Sequence, residues 1–371
     1  MQVDITIRTG PHNELDLYVT GFPCSPFSQA GKRDGFEAAV ANCFKATVAT
    51  IKTVRPRAWI LENVPQLGGK KHKSQLDAAL TFMRDEYKIA IVFKNTNMYD
   101  LPQDRPRMYI LGFRFDAMRS KKSLDIVQDL VAKVEQSIGA QGPHLEWHQW
   151  LEKRGMPVCP ADASSPGFVR VTTCGTCSFR RCCPHHVCTC DKCTKLGTLA
   201  KKCMWRVHTK EWMTKNAARV REYKQGWSKV LKTKLKCSPD YYKLAEAKNL
   251  YVPKVIQESP RVRAAITAWS STTNLFVPST LVNSSQAVNR TAPKSNGQVP
   301  SLTTTCGRLF APSAGVFLKP AQCLALQGFD CSKLPLDDFT AAELETFAGM
   351  AMGLPVVGTL MVAMVSQLKP A

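Results

Sequence analysis

The first 118 residues alternate short apolar runs with longer segments whose apolar residues recur every four positions. A short apolar run predicts a buried strand, and a period near four predicts an amphipathic helix. The predicted strands are residues 15–19, 58–61, 89–94 and 108–113. The predicted helices are residues 36–54 and 74–87, followed by a third at 123–138. This strand–helix–strand order indicates an α/β fold with a mostly parallel sheet and helices on its faces.

Residues that can carry chemistry follow two of the predicted strands. Cys24 lies between Pro23 and Pro26 after the first strand, on a turn that the two prolines stiffen. Glu62 and Asn63 follow the second strand. Functional residues of such sheets lie beyond the carboxyl ends of the strands. The sequence therefore predicts a site that contains both Cys24 and Glu62.

The charge of the chain indicates an anionic partner. Lysine and arginine number 50 against 29 aspartates and glutamates, a formal net charge of +21. Residues 195–263 hold 18 of the basic and five of the acidic residues, with aromatics interleaved: Trp205, Trp212, Tyr223, Trp227, Tyr241 and Tyr242. Such a mixture suits phosphate contact and base stacking, although a basic helix whose aromatics face its own core has the same pattern. We expect nucleic acid as the partner.

Nine of the 15 cysteines lie between residues 159 and 203. Cys174 and Cys177 form one Cys-x2-Cys pair, and Cys190 and Cys193 form a second pair that twelve residues separate from the first. Two such pairs supply the four ligands of a tetrahedral structural zinc site. Other cysteines and histidines up to residue 208 leave the choice of ligands and the number of zinc ions open. We expect zinc to fold residues 159–208, which have little apolar core of their own.

Three short sequences occur in an order that one enzyme family uses. They are Pro-Cys at 23–24, Glu-Asn-Val at 62–64 and Gln-Asp-Arg-Pro-Arg at 103–107. In order and content they resemble motifs IV, VI and VIII of the cytosine-5 DNA methyltransferase family. Further likenesses are residues 3–6 for motif III, residues 318–329 for motif IX and residues 349–355 for the place of motif X. The resemblance covers both ends of the chain and implies methyl transfer from S-adenosylmethionine to DNA.

The resemblance also assigns a role to each candidate residue. Cys24 is implied as the nucleophile that adds to carbon 6 of cytosine and so activates carbon 5. Glu62 is implied as the carboxyl group that contacts the ring nitrogen, with Arg105 and Arg107 orienting it. The target base must be flipped out of the duplex to reach them. The remaining assignments are Ser28, Lys32, Arg33, Asn63 and Gln103 for substrate and Asp4, Ile5 and Pro23 for cofactor.

The family's glycine-rich cofactor motif, Phe-x-Gly-x-Gly after a strand, is not found in this sequence. In the family that motif and the first strands of the sheet precede motif III. We therefore expect a Rossmann-like methyltransferase sheet that is incomplete on its N-terminal side and impaired in binding S-adenosylmethionine. We also expect a partner or missing segment to complete the sheet, since the strand before Cys24 otherwise remains an unpaired edge. Ser25, Ala321 and Met350 also depart from the family's pattern.

The sequence divides into three segments. Residues 1–118 form the catalytic domain, residues 119–300 a basic, zinc-binding target-recognition insertion, and residues 301–371 the return to the catalytic domain. Residues 347–365 carry no charge, but their glycines and proline favour a packed helix over a membrane span. With no secretory leader in residues 1–10, we expect a nuclear DNA cytosine-5 methyltransferase. Two alternatives stay open: a non-catalytic nucleic-acid-binding homologue, and an RNA cytosine-5 methyltransferase.

Overall fold

The computed structural model describes residues 15–23, 42–140, 145–171, 241–258, 273–284, 296–302 and 308–370, with residues 262, 266, 269, 270 and 293. The chain divides into two compact units. Unit 1 comprises Met1–His144, Gln327–Phe329 and Met350–Ala371, and unit 2 comprises Leu145–Leu326 and Asp330–Gly349. The division into three segments drawn from the sequence stays a prediction.

Short strands and helices follow one another along the described ranges. The strands are β1 (Leu17–Gly21), β2 (Ala58–Asn63), β3 (Tyr87–Asn95), β4 (Gln103–Asp104), β5 (Pro106–Arg114), β6 (Phe168–Arg170), β7 (Tyr251–Pro253), β8 (Val282–Asn283), β9 (Val299–Pro300), β10 (Leu309–Ala311) and β11 (Val316–Phe317). The α-helices are α1 (Asn42–Val54), α2 (Lys73–Thr81), α3 (Ser123–Gly139), α4 (Trp147–Lys153), α5 (Tyr241–Ala247), α6 (Lys254–Glu258), α7 (Pro320–Ala325), α8 (Ala341–Met350) and α9 (Leu354–Ser366). Short 3-10 helices include Pro65–Gly68 and Thr96–Tyr99.

Unit 1 is built on a four-stranded sheet with the order β1–β2–β5–β3. β1 and β2 are parallel, whereas β5 runs antiparallel to both β2 and β3. β1, β2 and β3 therefore run in the same direction, and the prediction of a mostly parallel sheet is wrong only for β5 and its two pairings. The physical reason is the short link between β3 and β5: residues 96–105 contain no α-helix to carry the chain back along the sheet for parallel pairing.

The ends of the elements differ from the predicted ones. β1 begins and ends two residues later than the predicted strand 15–19, and α1 covers the part of the predicted helix 36–54 that the structure describes. α2 ends at Thr81 rather than at residue 87, because residues 82–86 form turns. Those turns bring Tyr87 into β3, where its ring contacts the Trp59 ring edge-on at 5.9 Å between centroids. The helix predicted at 123–138 is confirmed as α3.

Helices cover both faces of this sheet, so the central strands β2 and β5 are buried on both sides, whereas the outer strands β1 and β3 are partly exposed. α1 and α2 place Phe44, Ile51, Leu76 and Leu80 against one face, together with Trp59 of β2. On the other face, α3 and α9 pack on alternate residues of β2 and β5; the set includes Val127, Val131, Val356, Leu360, Ile60 and Leu111. Burial on both faces explains why β2 reads as an apolar run rather than as an alternating pattern. Unit 1 is a mixed α/β structure with three layers.

Unit 2 has a separate core in which two of the interleaved aromatics lie. Tyr241 and Tyr242 of α5 are fully buried, and their hydroxyl groups donate to the carbonyl oxygens of Pro312 at 3.1 Å and Ile256 at 2.9 Å. These two tyrosines therefore do not stack on nucleic-acid bases, and the core-facing interpretation holds for them. Trp205, Trp212, Tyr223 and Trp227 lie outside the described residues.

The uncharged C-terminal stretch is divided between α8 and α9. Within the described ranges no single helix has the length and apolarity needed to cross a membrane. Ala341–Met350 and Leu354–Ser366 reach that length and composition only when taken together as a bent pair.

Candidate active site

The ends of three strands and the beginning of a fourth meet at one edge of the unit 1 sheet. Gly21 at the end of β1 lies opposite Glu62 on the neighbouring strand β2. Asn63 at the end of β2 lies opposite Met108 of β5, and Asn95 at the end of β3 lies opposite Pro106. This register brings the Glu-Asn and Arg-x-Arg sequences together, which the predicted strand order alone does not require. We call this edge the carboxyl edge.

Glu62 and Arg107 form a buried ion pair at the carboxyl edge. Arg107 Nε lies 2.7 Å from Glu62 Oε1, and the two side chains are 10% and 9% exposed. Arg107 Nη1 also donates to the Pro106 carbonyl oxygen at 2.8 Å. Burial raises the pKa of the neighbouring Tyr109, and the Glu62 carboxylate raises it further. A guanidinium that holds a carboxylate in this way fixes the direction in which Glu62 presents its second oxygen.

Gly21 makes room for that second oxygen. A Cβ atom at position 21 would lie 3.0 Å from Glu62 Oε2 and 3.1 Å from Met352 Cε. Both distances are shorter than ordinary van der Waals contacts. The carboxylate therefore lies directly against the backbone of β1, and any side chain at position 21 would displace it or Met352. Gly21 and Met352 were not among the residues predicted from the sequence, because the close approach of these distant segments to Glu62 leaves no local sequence pattern.

Asn95 holds the segment that carries the two arginines. Its Nδ2 donates to Asp104 Oδ1 at 3.0 Å, and its Oδ1 accepts from the Arg105 backbone N–H at 2.8 Å. Thr96 Oγ1 donates to the Gln103 carbonyl oxygen at 2.6 Å. These bonds close the loop 96–104 on itself and fix the start of β5. Neither Asn95 nor Thr96 was predicted from the sequence, where the only local signal was their position at the start of a turn-rich stretch.

Arg105 and Asn63 contact backbone atoms. Arg105 Nη2 donates to the carbonyl oxygen of Ala351 at 2.8 Å, so the segment before α9 closes on this site. The Asn63 amide donates to the Phe22 carbonyl oxygen at 2.9 Å and its Oδ1 accepts from the Val64 N–H at 2.9 Å. Asn63 thus ties the end of β1, immediately before Pro23, to the end of β2.

Gln103 is fully buried, and neither atom of its amide group has a hydrogen-bond partner in the part of the chain that the structure describes. A buried amide left unpaired costs about 1–3 kcal/mol. Gln103 therefore keeps donor and acceptor capacity at this edge for a bound molecule or water. Its assignment to the substrate stays a prediction.

The remaining predicted site residues have different outcomes. Cys24, Ser28, Lys32, Arg33, Asp4, Ile5 and the zinc candidates Cys174, Cys177, Cys190 and Cys193 lie outside the described residues. Of the cofactor candidates the structure describes Pro23, which is exposed just after β1. Beside Gly21, the space that a Cβ atom would take is filled by Glu62 and Met352. Among the described residues no group of three or more His, Cys, Asp or Glu side chains suits a metal ion.

The fold and the site define an α/β domain with a buried carboxylate–guanidinium pair at the carboxyl edge of its sheet. Open α/β sheets bind their ligands beyond this edge. Residues 2–146 match the sequence pattern of the C-5 cytosine-specific DNA methylases. The similarity to the C-5 cytosine-specific DNA methylases is therefore shown for this segment.

Two curated relatives show how far the similarity extends. The orphan methyltransferase M.SPRI of Bacillus phage SPR is 35% identical over 128 residues, which are 34% of this chain and 29% of the relative. The type II methyltransferase M1.ScrFI of Lactococcus lactis subsp. cremoris is 38% identical over 102 residues, 26% of this chain and 25% of the relative. The chain therefore spans between a quarter and a third of the length of these relatives.

Proposed function

We propose that this chain methylates carbon 5 of cytosine in DNA, or supplies the catalytic and recognition portion of an enzyme that does so. The observation that carries the proposal is the buried Glu62–Arg107 pair at the carboxyl edge, inside the segment that matches the C-5 cytosine-specific DNA methylases. Two curated relatives of this segment are named as methyltransferases. The family transfers the methyl group of S-adenosylmethionine, which we propose as the donor.

In this proposal the chain's own residues activate the base. The Cys24 thiolate forms a bond to carbon 6, and the electron pair of the broken carbon 5–carbon 6 double bond makes carbon 5 nucleophilic. Glu62 contacts the ring nitrogen next to the amino group, held in place by Arg107, while Arg105 contacts the base carbonyl. Ser28, Lys32 and Arg33 close over the flipped base, with Asn63 and Gln103 beside it.

We propose that a Rossmann-like sheet is completed by a partner or by a segment beyond the part described. β1 is the outermost strand of the described sheet, and an unpaired edge favours the addition of another strand. α9, on the same side as Leu17 and Val19, has an uncharged outer face with exposed Leu354, Met361, Val362 and Val365. The side chain of Val362 is the most exposed of these four, at 73%. A strand and helix added here would cover both features and could supply the glycine-rich motif that is not found in this sequence.

The target-recognition role of the middle of the chain is proposed from sequence alone, as is structural zinc in it. Cys174, Cys177, Cys190 and Cys193 have the spacing of a tetrahedral site. We expect metal analysis of the purified chain to find zinc and to find it lost after Cys174→Ser and Cys190→Ser. Unchanged zinc content in that double variant would contradict this choice of ligands.

A nuclear location and the two alternative functions complete the proposal. We propose a nuclear location because the proposed substrate is DNA. Imaging that shows a tagged chain excluded from nuclei would contradict it. A non-catalytic homologue is favoured by the absent glycine-rich motif, and an RNA methyltransferase shares the same core motifs. Each predicts a different result in the adduct experiment.

The experiment traps the proposed covalent intermediate. The full chain is incubated with S-adenosylmethionine and duplex DNA in which the target cytosines carry fluorine at carbon 5, which blocks release of the enzyme. We expect a denaturant-resistant adduct that disappears in Cys24→Ala and persists in Cys43→Ala, a control thiol half-buried on α1. DNA binding without an adduct would contradict methylation by this chain alone, and an adduct formed only on fluorinated RNA would favour the RNA enzyme.

A further inference from the structure

Three lysines lie on a turn that the catalytic proposal does not use. The 3-10 helix Pro65–Gly68 continues from the end of β2, and Lys70, Lys71 and Lys73 follow it at the start of α2. We call these three residues the lysine turn. All three side chains are exposed. No acidic residue occurs between Asn63 and Asp77, so this stretch of the chain carries a net positive charge.

The lysine turn is anchored at both ends. Leu67 before it and Leu76 after it are buried in the core beneath the sheet. The carbonyl oxygen of Gly69 accepts hydrogen bonds from the backbone N–H groups of His72 at 2.9 Å and Lys73 at 3.0 Å. Such a turn holds its backbone in one shape. The lysines therefore project from a fixed position, which reduces the entropy lost when they bind an anion.

The same turn lies beside the candidate active site. A Cβ atom at Gly68 would lie 2.9 Å from Met108 Sδ, and Met108 follows Arg107 and lies opposite Asn63 in the sheet. The helix Pro65–Gly68 therefore packs on the carboxyl edge, with the lysine turn directly after it. Positive charge that surrounds a site from outside attracts an anionic substrate without touching the reacting atoms.

We propose that the lysine turn binds the phosphodiester backbone of the nucleic-acid strand whose base enters the site at Glu62 and Arg107. That a nucleic-acid strand lies at this site rests on the proposed function. That the lysine turn contacts its phosphates rests on the position and charge of the turn itself. Lysines that bind phosphates position a duplex without reading its sequence. Each such contact releases condensed counterions, so its loss changes the salt dependence of binding.

The test replaces two lysines and compares them with a matched pair. Lys70→Gln/Lys73→Gln removes two charges from the lysine turn. Lys121→Gln/Lys122→Gln removes two charges from exposed lysines that follow β5, at the opposite edge of the same sheet. The dissociation constant of the full chain is measured against salt concentration for a duplex DNA and for an RNA hairpin. Lys70→Arg/Lys73→Arg keeps the charge and serves as the rescue variant.

We expect the slope of log K against log salt to fall by about two for the glutamine variant of the lysine turn. Binding should weaken on the order of tenfold at 0.1 M salt, equally for different DNA sequences. The control pair and the arginine variant should behave as the wild-type chain does. If Lys70→Gln/Lys73→Gln lowered the slope for the RNA hairpin but not for the duplex DNA, the phosphate contact would be assigned to RNA.

An unchanged slope in Lys70→Gln/Lys73→Gln, or an equal loss in Lys121→Gln/Lys122→Gln, would overturn the inference. These outcomes are separable from failure of the proposed function. A chain that binds DNA through the lysine turn but forms no Cys24 adduct keeps the contact and loses the enzyme. If the chain forms the Cys24 adduct but Lys70→Gln/Lys73→Gln leaves the salt slope unaltered, the enzymatic proposal stands and the phosphate contact is refuted.

Discussion

Gly112→Ala is expected to lower the free energy of unfolding by about 3 kcal/mol or more, at the top of the range for overpacked cores. Gly112 of β5 lies opposite Trp59 of β2. A Cβ atom at Gly112 would lie 2.1 Å from Trp59 Cε2 and 2.3 Å from Cζ2, well inside the contact distance of two carbon atoms. The Trp59 ring is fully buried and packs edge-on against Tyr87, which restricts its movement away from an added Cβ atom. The measurement is urea unfolding of the full chain.

Two further variants separate a steric clash from a general effect of alanine. Gly358→Ala in α9 has nothing within 4 Å of its added Cβ, so it should raise stability by about 0.5–1 kcal/mol through helix propensity. In a Trp59→Phe background the smaller ring leaves space, and Gly112→Ala should cost less there by on the order of 1 kcal/mol. Equal costs of Gly112→Ala in both backgrounds would show that Trp59 is not the cause.

Arg107→Ala should remove adduct formation and also destabilise the chain by about 3–5 kcal/mol. The destabilisation follows because the Glu62 carboxylate would remain buried without the guanidinium that lies 2.7 Å away. Glu62→Gln should lower the rate of adduct formation roughly 100-fold, since an amide can donate a hydrogen bond to the ring nitrogen but cannot transfer a proton to it. The double variant Glu62→Gln/Arg107→Ala should be more stable than Arg107→Ala alone. Unfolding midpoints and single-turnover adduct rates measure the two effects separately.

An exposed ion pair serves as the control for this cycle. Arg55 Nε lies 2.9 Å from Glu86 Oε2, but these side chains are 59% and 42% exposed. Glu86→Gln should therefore change stability by less than about 1 kcal/mol and leave the adduct rate unaltered. If Arg107→Ala proved as mild as Glu86→Gln, the Glu62–Arg107 pair would not be the buried contact that the geometry indicates.

Local patterns in the sequence predicted the elements of unit 1 and their order. The apolar run at 58–61 and the four-residue period before it correspond to β2 and α1. The short motifs predicted the resemblance to the family whose pattern residues 2–146 match, because the chemistry of such motifs depends on residue types at fixed spacing. The parallel β1–β2 pair with α1 between the strands also follows from strand–helix–strand order.

The direction of β5 and the fate of the aromatics did not follow from local patterns. Strand direction depends on the link before β5, and a turn-rich stretch does not reveal that the chain reverses there. Tyr241 and Tyr242 read as stacking residues because they lie among lysines, yet tertiary packing buries them. Burial is a property of the assembled core rather than of the neighbouring sequence.

Three short motifs, a Pro-Cys turn, a Glu-Asn-Val and an Arg-x-Arg, were enough to predict the kind of chemistry, because they occur in the order that one family uses. Only the tertiary structure decided the arrangement around Glu62. It placed Gly21 and Met352 against the carboxylate, Arg107 beside it, and Asn95 as the clamp on the arginine segment. These contacts join residues from 21 to 352, and contacts over such separations arise from packing, which no local spacing encodes.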